Sequence, residues 1–288
     1  EIGMGISSTV MKGTQKSTGQ SVAIKEFKNE YFEDIKMPQI LRREIAFLME
    51  LKNEYLVEFI GFNIDENKPV WIVMKYIEGG SLADVLNNTD LDSYQKTKIA
   101  FEVAQGMEYL NKHNVMHRDL KSANILLEDP EHRIVKPHIC DFGYARNDSF
   151  YPKYMTFETG TVNYRAPEII SKKPYNFKAD VFSFGNVLFE LYANSCPYYW
   201  LDTRYIEDYI KNNEPLIYDE KINEDLKQLI EDCTNYDPDK RPSFTEIIER
   251  MIKDEICYND ILDDDKDDII EFYQNKKEER KNMNNSNK

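Results

Sequence analysis

Three side chains suited to proton transfer and phosphate binding lie within one short segment, residues 117–124, which reads His-Arg-Asp-Leu-Lys-Ser-Ala-Asn. Asp119 can orient a hydroxyl group and accept its proton. Lys121 can neutralise a phosphate, and the amide oxygen of Asn124 is a hard ligand suited to Mg²⁺. Apolar residues flank the segment on both sides, so we predict a polar loop between two strands. A polar surface turn is the simpler alternative.

A glycine-rich turn near the start of the chain could contact a phosphate, and a predicted strand follows it. Gly3 and Gly5 lie in a turn that reads Gly-Met-Gly-Ile-Ser-Ser-Thr-Val, and glycine lets the backbone approach a ligand closely. Residues 22–25 alternate like a strand and end in Lys25. Each signal is weak alone, because glycine turns and strand-terminal surface lysines are common.

A charged residue accompanies the next predicted element. Apolar residues at helical spacing predict a helix over residues 39–51. Glu44 lies one turn before Leu48, beside the apolar stripe, where a buried charge needs a partner. Lys25 is the natural partner, and the alternative is a solvated Glu44 paired with a neighbouring cation.

Longer elements lead to and from the polar segment. Residues 56–59 and 70–77 predict strands, and the second ends in a Glu-Gly-Gly-Ser chain reversal. Residues 93–113 repeat apolar side chains at helical spacing, which predicts a long helix directly before the polar segment. A polar hairpin is predicted over residues 128–138, with His138 exposed and no ligand role.

The sequence after the hairpin supplies a second carboxylate. Residues 140–143 read Cys-Asp-Phe-Gly, so Asp141 stands just before a glycine turn. Residues 144–165 are rich in hydroxyl groups and precede Ala-Pro-Glu, and a loop this long is usually functional or disordered. Asp180 opens an apolar helical run and is predicted as its N-cap.

The types, order and spacing of these motifs resemble the eukaryotic protein kinase catalytic domain, most closely the tyrosine-kinase-like serine/threonine group. The resemblance covers residues 3 to about 254. It implies an α+β bilobal protein kinase fold, with a small antiparallel-sheet lobe and one helix over a larger, mainly helical lobe. The lobes would span residues 1–77 and 78–257, and residues 258–288 would form a charged tail.

The resemblance implies transfer of the γ-phosphoryl group of ATP to a protein hydroxyl, with Mg²⁺ as the metal cofactor. Asp119 would position and deprotonate the acceptor, while Asn124 and Asp141 would hold Mg²⁺. Lys121 would stabilise charge near the γ-phosphate.

The resemblance also assigns the nucleotide site. Lys25, paired with Glu44, would hold the α- and β-phosphates of ATP, and Met74 would stand in front of the back pocket. The remaining contacts would be Gly3, Gly5, Val10, Ala23, Lys75, Ile77, Ser81 and Leu126. Ser8 replaces the third glycine of the family pattern, so we expect this loop to be less flexible than the family pattern implies.

Two alternatives remain beside a serine/threonine kinase. A non-catalytic pseudokinase scaffold would normally lack the equivalent of Lys25, Asp119 or Asp141, and all three are present. The other is a tyrosine or dual-specificity kinase, and tyrosine kinases generally lack both Lys121 and Thr161. In the serine/threonine group, the hydroxyl of Thr161 would bridge the catalytic aspartate and lysine.

The resemblance implies supporting roles for residues elsewhere. Asp180 would brace the backbone of the catalytic loop, and Glu168 would form a structural ion pair with Arg241. Phosphorylation is expected within residues 149–159, with Arg118 as the counter-charge. The sites most expected to be modified are Thr156 and Thr159.

Composition restricts the partners. The chain has 288 residues, a net charge of −15 and a pI of about 4.9, which argues against general attraction to nucleic acid or anionic membranes. Its four cysteines are widely spaced, so reduced thiols in a cytosolic or nuclear setting are expected, and we predict a cytoplasmic location. The expected partner is a protein substrate, and oligomeric state is not indicated. The tail is expected to be a solvated appendage, with a partner site as the alternative, and to be disordered over residues 282–288.

Overall fold

The computed structural model describes residues 1–4, 8–27, 45, 49–63, 70–131, 135–141, 146–147, 161–219, 222–256, 258 and 263–286. Contacts divide the chain into two compact units, Glu1–Glu78 and Gly79–Lys288. The first contains an antiparallel sheet and the second is mainly helical, which confirms the predicted α+β fold class. Among these described residues, no helix has the length and apolar character needed to cross a membrane.

The first unit is built on a five-stranded antiparallel sheet with strand order β1-β2-β3-β5-β4. The strands are β1 (Gly3–Met4), β2 (Ser8–Thr14), β3 (Ser21–Phe27), β4 (Phe59–Asn63) and β5 (Trp71–Lys75). The strand predicted at residues 22–25 lies within β3. The strand predicted at residues 56–59 begins only at Phe59, because Asn53 closes a turn onto the amides of Tyr55 and Leu56.

In the part of the second unit that the structure describes, helices are accompanied by two short strand pairs. Its helices are α1 (Leu82–Asn88), α2 (Ser93–Lys112), α3 (Pro167–Ile170), α4 (Lys178–Ala193), α5 (Thr203–Lys211), α6 (Glu224–Cys233), α7 (Phe244–Asp254) and α8 (Asp263–Ser286). Strand β6 (Val115–Met116) pairs with β9 (Arg146–Asn147), and β7 (Ile125–Glu128) pairs with β8 (Lys136–Ile139), both antiparallel.

Helices α2 and α4 form the centre of the second unit. The predicted helix over residues 93–113 is confirmed as α2, which starts at a capping box between Asp92 and Gln95. Helix α4 is buried from Ala179 to Leu191, as expected for a helix that is apolar on all sides. The prediction of Asp180 as its N-cap is wrong, because the helix already starts at Lys178.

Two further predictions for the second unit are wrong. His138 is buried at 6% exposure and its Nε2 lies 3.1 Å from Glu128 Oε2 across the β7–β8 pair, because its strand position points inward. The tail is not a solvated appendage, since α8 buries Ile269, Phe272 and Tyr273. The predicted disorder from residue 282 is also wrong as far as Ser286, where α8 ends.

Candidate active site

The polar segment predicted from the sequence lies between β6 and β7, and β6 connects it to the end of α2. Its backbone is held from α4, where the Asp180 carboxylate accepts the N–H groups of His117 and Arg118, each at 2.8 Å. This is the bracing role that the family resemblance implied. Burial raises the pKa of Asp180, while His117 and the two amide donors act in the opposite direction. The carboxylate therefore fixes where the loop turns.

Four polar side chains converge within this loop and its neighbour. Asp119 Oδ2 lies 3.1 Å from Lys121 Nζ and accepts from Asn124 Nδ2 at 3.0 Å. Lys121 Nζ also donates to Thr161 Oγ1 at 2.7 Å. The prediction that the Thr161 hydroxyl contacts Asp119 is wrong, because the backbone N–H of Thr161 makes that contact, at 3.1 Å from Oδ1. Both carboxylate oxygens of Asp119 are thus oriented.

The donor set fits a hard cation. The Asn124 amide nitrogen donates to the carbonyl and the carboxylate of Asp119, so its oxygen is the group that could bind a metal. Cys140 N donates to the carbonyl of Asn124 at 2.9 Å, which brings the next residue, Asp141, beside this position. Asp141 is half-buried with a φ of 61°. Within the described residues, no group of three or more His, Cys, Asp or Glu side chains could hold a metal.

A buried polar cluster beside the loop was missed by the sequence analysis. Glu190 on α4 accepts from Ser122 Oγ at 2.9 Å and from the Tyr164 hydroxyl at 2.6 Å. Ser122 follows Lys121, and Tyr164 lies three residues after Thr161, so the cluster joins the two chain segments that orient Asp119. The available signal was a glutamate within an apolar helix. Burial raises the pKa of Glu190, and its two hydroxyl donors only partly oppose this.

This cluster gives a pH-dependent prediction for Glu190→Gln. A carboxyl with a raised pKa keeps a proton that the unfolded chain releases, so stability falls as pH rises from the ordinary value of 4.5 toward the raised value. Glutamine does not titrate and can still accept from Tyr164 while donating to Ser122. We therefore expect the melting temperature of the variant, measured relative to that of the wild type, to increase as pH rises.

The measurement is thermal unfolding of both proteins at several pH values between about 4.5 and 8. The matched control is Glu249→Gln, which changes an exposed glutamate on α7. Its difference from the wild type should stay flat across this range. If the melting-temperature difference between Glu190→Gln and the wild type is also independent of pH, Glu190 does not have a raised pKa in the folded protein.

The predicted ion pair between Glu168 and Arg241 is confirmed. Arg241 Nη1 and Nη2 donate to the two carboxylate oxygens of Glu168 at 2.7 and 2.8 Å, which is a bidentate arrangement. Arg241 is 1% exposed, and its guanidinium group lies 5.1 Å from the centre of the Phe182 ring. The pair connects the start of α3 to the turn before α7.

In the first unit, the sheet register brings four predicted nucleotide contacts onto one face. Val10 on β2 lies opposite Lys25 on β3, and Ala23 lies opposite Met74 on β5. Opposite residues of antiparallel strands share a face, as do residues two apart on one strand. Val10, Ala23, Lys25 and Met74 therefore point to the same side of the sheet. Lys75 points to the other side, so a role for it would use its backbone.

The second unit also brings two predicted contacts together. Ser81 forms a bridge with Leu126, but its hydroxyl already donates to Asp84 at 2.6 Å as the N-cap of α1. The chain approaches β7 very closely here, since a Cβ on Gly79 would lie 2.2 Å from the Leu127 carbonyl oxygen. Only glycine fits at that position.

The other predicted contacts are less well defined by the fold. Gly3 pairs with Val10 at the edge of the sheet, and Ile77 is buried. Gly5, Glu44 and the predicted phosphorylation segment at residues 149–159 lie outside the described residues. The Lys25–Glu44 ion pair and the phosphorylation sites therefore stay predictions.

Comparison with known proteins identifies similar chains. Residues 1–251 match the protein kinase domain family. The chain is 36% identical over 246 residues to the serine/threonine-protein kinase STY17 of Arabidopsis thaliana, which covers 84% of this chain and 41% of the relative. It is 35% identical over 264 residues to a probable serine/threonine-protein kinase of Dictyostelium discoideum, covering 88% and 19%. It is 36% identical over 257 residues to the Arabidopsis serine/threonine-protein kinase STY46, covering 87% and 43%. The chain thus spans less than half the length of these three relatives.

Proposed function

This chain belongs to the protein kinase domain family, and on that premise we propose that it transfers the γ-phosphoryl group of ATP to serine or threonine hydroxyls of a protein substrate. The observation that carries the choice of acceptor is the hydrogen bond from Lys121 Nζ to Thr161 Oγ1, beside Asp119. The kinases to which the chain is similar carry serine/threonine in their names. We also propose a cytoplasmic setting, where ATP is available and thiols stay reduced.

In the proposed reaction, Asp119 accepts the proton of the substrate hydroxyl as its oxygen bonds to the γ-phosphorus. The bond from the γ-phosphorus to the oxygen shared with the β-phosphate breaks, ADP leaves, and the proton passes from Asp119 to solvent. Lys121 offsets negative charge near the transferred group. Because the transition state is loose, these residues act mainly by positioning and electrostatics.

Mg²⁺ would be held by Asn124 and Asp141, and when bound it neutralises charge on the ATP phosphates. Lys25 is proposed to hold the α- and β-phosphates, with Glu44 as its partner. Val10, Ala23 and Met74 share the face of Lys25, which supports their assignment as contacts of the same nucleotide. Gly3, Gly5, Lys75, Ile77, Ser81 and Leu126 complete the proposed nucleotide site.

The test is phosphoamino-acid analysis of a generic protein substrate incubated with purified protein, Mg²⁺ and ATP labelled at the γ-phosphate. We expect phosphoserine and phosphothreonine. A product containing mainly phosphotyrosine would show that the acceptor assignment is wrong. No labelled product, together with no rise in melting temperature on adding ATP and Mg²⁺, would favour a non-catalytic scaffold.

Thr161→Ala tests the contact that carries the acceptor choice. We expect turnover to fall by about tenfold or more, because Lys121 loses a charge-assisted hydrogen bond. Its ammonium group is then less firmly positioned beside Asp119. The KM for ATP should change little. Thr161→Ser keeps the hydroxyl and should restore most of the turnover. Equal activity of the alanine and serine variants would contradict a role for the hydroxyl.

A further inference from the structure

Helix α8 lies wholly beyond residue 251, where the match to the protein kinase domain ends. It presents one narrow face to the second unit. Ile269, Phe272 and Tyr273 are 3%, 9% and 1% exposed, and their spacing of three and four residues places them on one side of the helix. Lys276 and Arg280 continue the same side toward the C-terminus. The face is therefore aromatic at its centre and cationic at its end.

Helix α2 provides a matching surface. Tyr94, Phe101 and Glu108 follow one another at intervals of seven residues, or about two helical turns, and so lie on one side. The Phe272 ring lies 6.1 Å from Tyr94 and 5.4 Å from Phe101, and the Tyr273 ring lies 5.8 Å from Phe101. All three ring pairs meet edge to face, the geometry that aromatic pairs favour. Contacts progress in the same order along both helices, so the helices run in the same direction.

A carboxylate completes the match two turns further on. Arg280 Nη2 donates to Glu108 Oε1 at 3.1 Å, and the same oxygen accepts from Thr245 Oγ1 on α7 at 2.8 Å. Lys112 Nζ lies 3.0 Å from it. Burial alone would raise the pKa of Glu108, but the hydrogen bonds from Thr245, Lys112 and Arg280 outweigh it and lower that pKa. Glu108 thus joins α2, α7 and α8.

We propose that the side of α2 formed by Tyr94, Phe101 and Glu108 is a docking surface for an amphipathic helix, and that residues 263–286 of the same chain occupy it. The surface fits a helix that carries adjacent aromatic residues followed two turns later by an arginine. Because α2 leads directly into β6 and the loop that holds Asp119, the docked helix supports the element that positions this loop.

The experiment measures amide hydrogen exchange of the full chain. Two variants weaken the docked face: Arg280→Glu, which places two carboxylates together, and Phe272→Ser, which removes the central ring. Their matched controls are Lys277→Glu and Gln274→Ser, which make comparable changes at exposed positions of α8. We expect exchange in residues 263–286 to become about tenfold faster or more in the first pair, with faster exchange in α2, and to stay unchanged in the controls.

Three outcomes would overturn the proposal. The first is wild-type exchange in Arg280→Glu and Phe272→Ser, and the second is α8 exchange in the wild type at the rate of an unstructured peptide. The third is protection that grows with protein concentration, since a second copy would then supply the helix. If Phe272→Ser does not fold, the exchange measured for Arg280→Glu tests the proposal. The Arg280 side chain is only partly buried, so this variant is expected to fold.

The proposed support of the catalytic loop by α8 rests on the proposed kinase function, and enzyme kinetics test it separately from hydrogen exchange. Arg280→Glu should lower kcat while leaving the KM for ATP unchanged, and Lys277→Glu should change neither. An unchanged kcat despite fast exchange of α8 would overturn the link. If the wild type transfers no phosphate, the proposed function fails, while the exchange measurement still decides whether α8 docks on α2.

Discussion

Asp119→Asn is expected to lower turnover by about 10²- to 10⁴-fold, the usual contribution of a positioned general base. The amide of asparagine cannot accept the proton of a substrate hydroxyl. Its size matches that of the carboxylate, so the contact to the Thr161 N–H can persist through the remaining oxygen. ATP affinity should change little, because the resemblance assigns phosphate binding to Lys25 and the glycine-rich turn.

The measurement is kcat and the KM for ATP of purified wild type and variant at equal concentration. The control is Asp208→Asn, which makes the same change at an exposed position on α5 and should leave both constants unchanged. Melting temperatures of all three proteins show whether each is folded. If turnover of Asp119→Asn equals that of the wild type, Asp119 is not the base.

Arg241→Met is expected to destabilise the second unit by about 3–5 kcal/mol, because it leaves the buried Glu168 carboxylate without its bidentate partner. Arg241 is completely buried, and its Nε also donates to the carbonyl of Asn235 at 2.7 Å. Methionine fills part of the vacated space but offers no donor. The loss is thus electrostatic more than steric.

Urea unfolding followed by circular dichroism measures this effect. The control is Arg204→Met, which breaks the exposed Asp202–Arg204 pair and should leave the midpoint unchanged, since exposed ion pairs contribute little. The double variant Glu168→Gln/Arg241→Met should recover part of the loss, because no unpaired charge is then buried. An Arg241→Met midpoint equal to that of the wild type would contradict this account.

The sequence could predict those parts of the site that lie close together along the chain. Asp119, Lys121 and Asn124 fall within six residues, so one loop had to place them near each other. The contact between Ser122 and Glu190 joins residues 68 positions apart. Only the packing of α4 beneath the loop creates it, and no local pattern carries that information.

Helix boundaries limited the prediction at Asp180. An aspartate before an apolar run is a good N-cap, but here α4 starts two residues earlier, at Lys178. The side chain of Asp180 instead points to the loop that holds Asp119. The prediction of a solvated C-terminal tail was wrong for a different reason. Its acidic and basic runs indicated solvation, whereas three apolar residues at helical spacing were enough to bury one face of α8.

The hold of Asp180 on the loop also has a consequence for how activity is distributed among molecules. Arg118 has a φ of 70°, in the left-handed region, which costs a non-glycine residue about 1–3 kcal/mol. The hydrogen bonds that the backbone amides of His117 and Arg118 donate to Asp180 keep it there. A competent loop is one that keeps both hydrogen bonds to Asp180, and a relaxed loop is one that has lost them. Each change of about 1.4 kcal/mol in the free-energy difference between these two states alters their ratio tenfold. Under the proposed function, turnover is the rate of a competent molecule multiplied by the competent fraction, so we expect loss of the Asp180 contacts to lower that fraction.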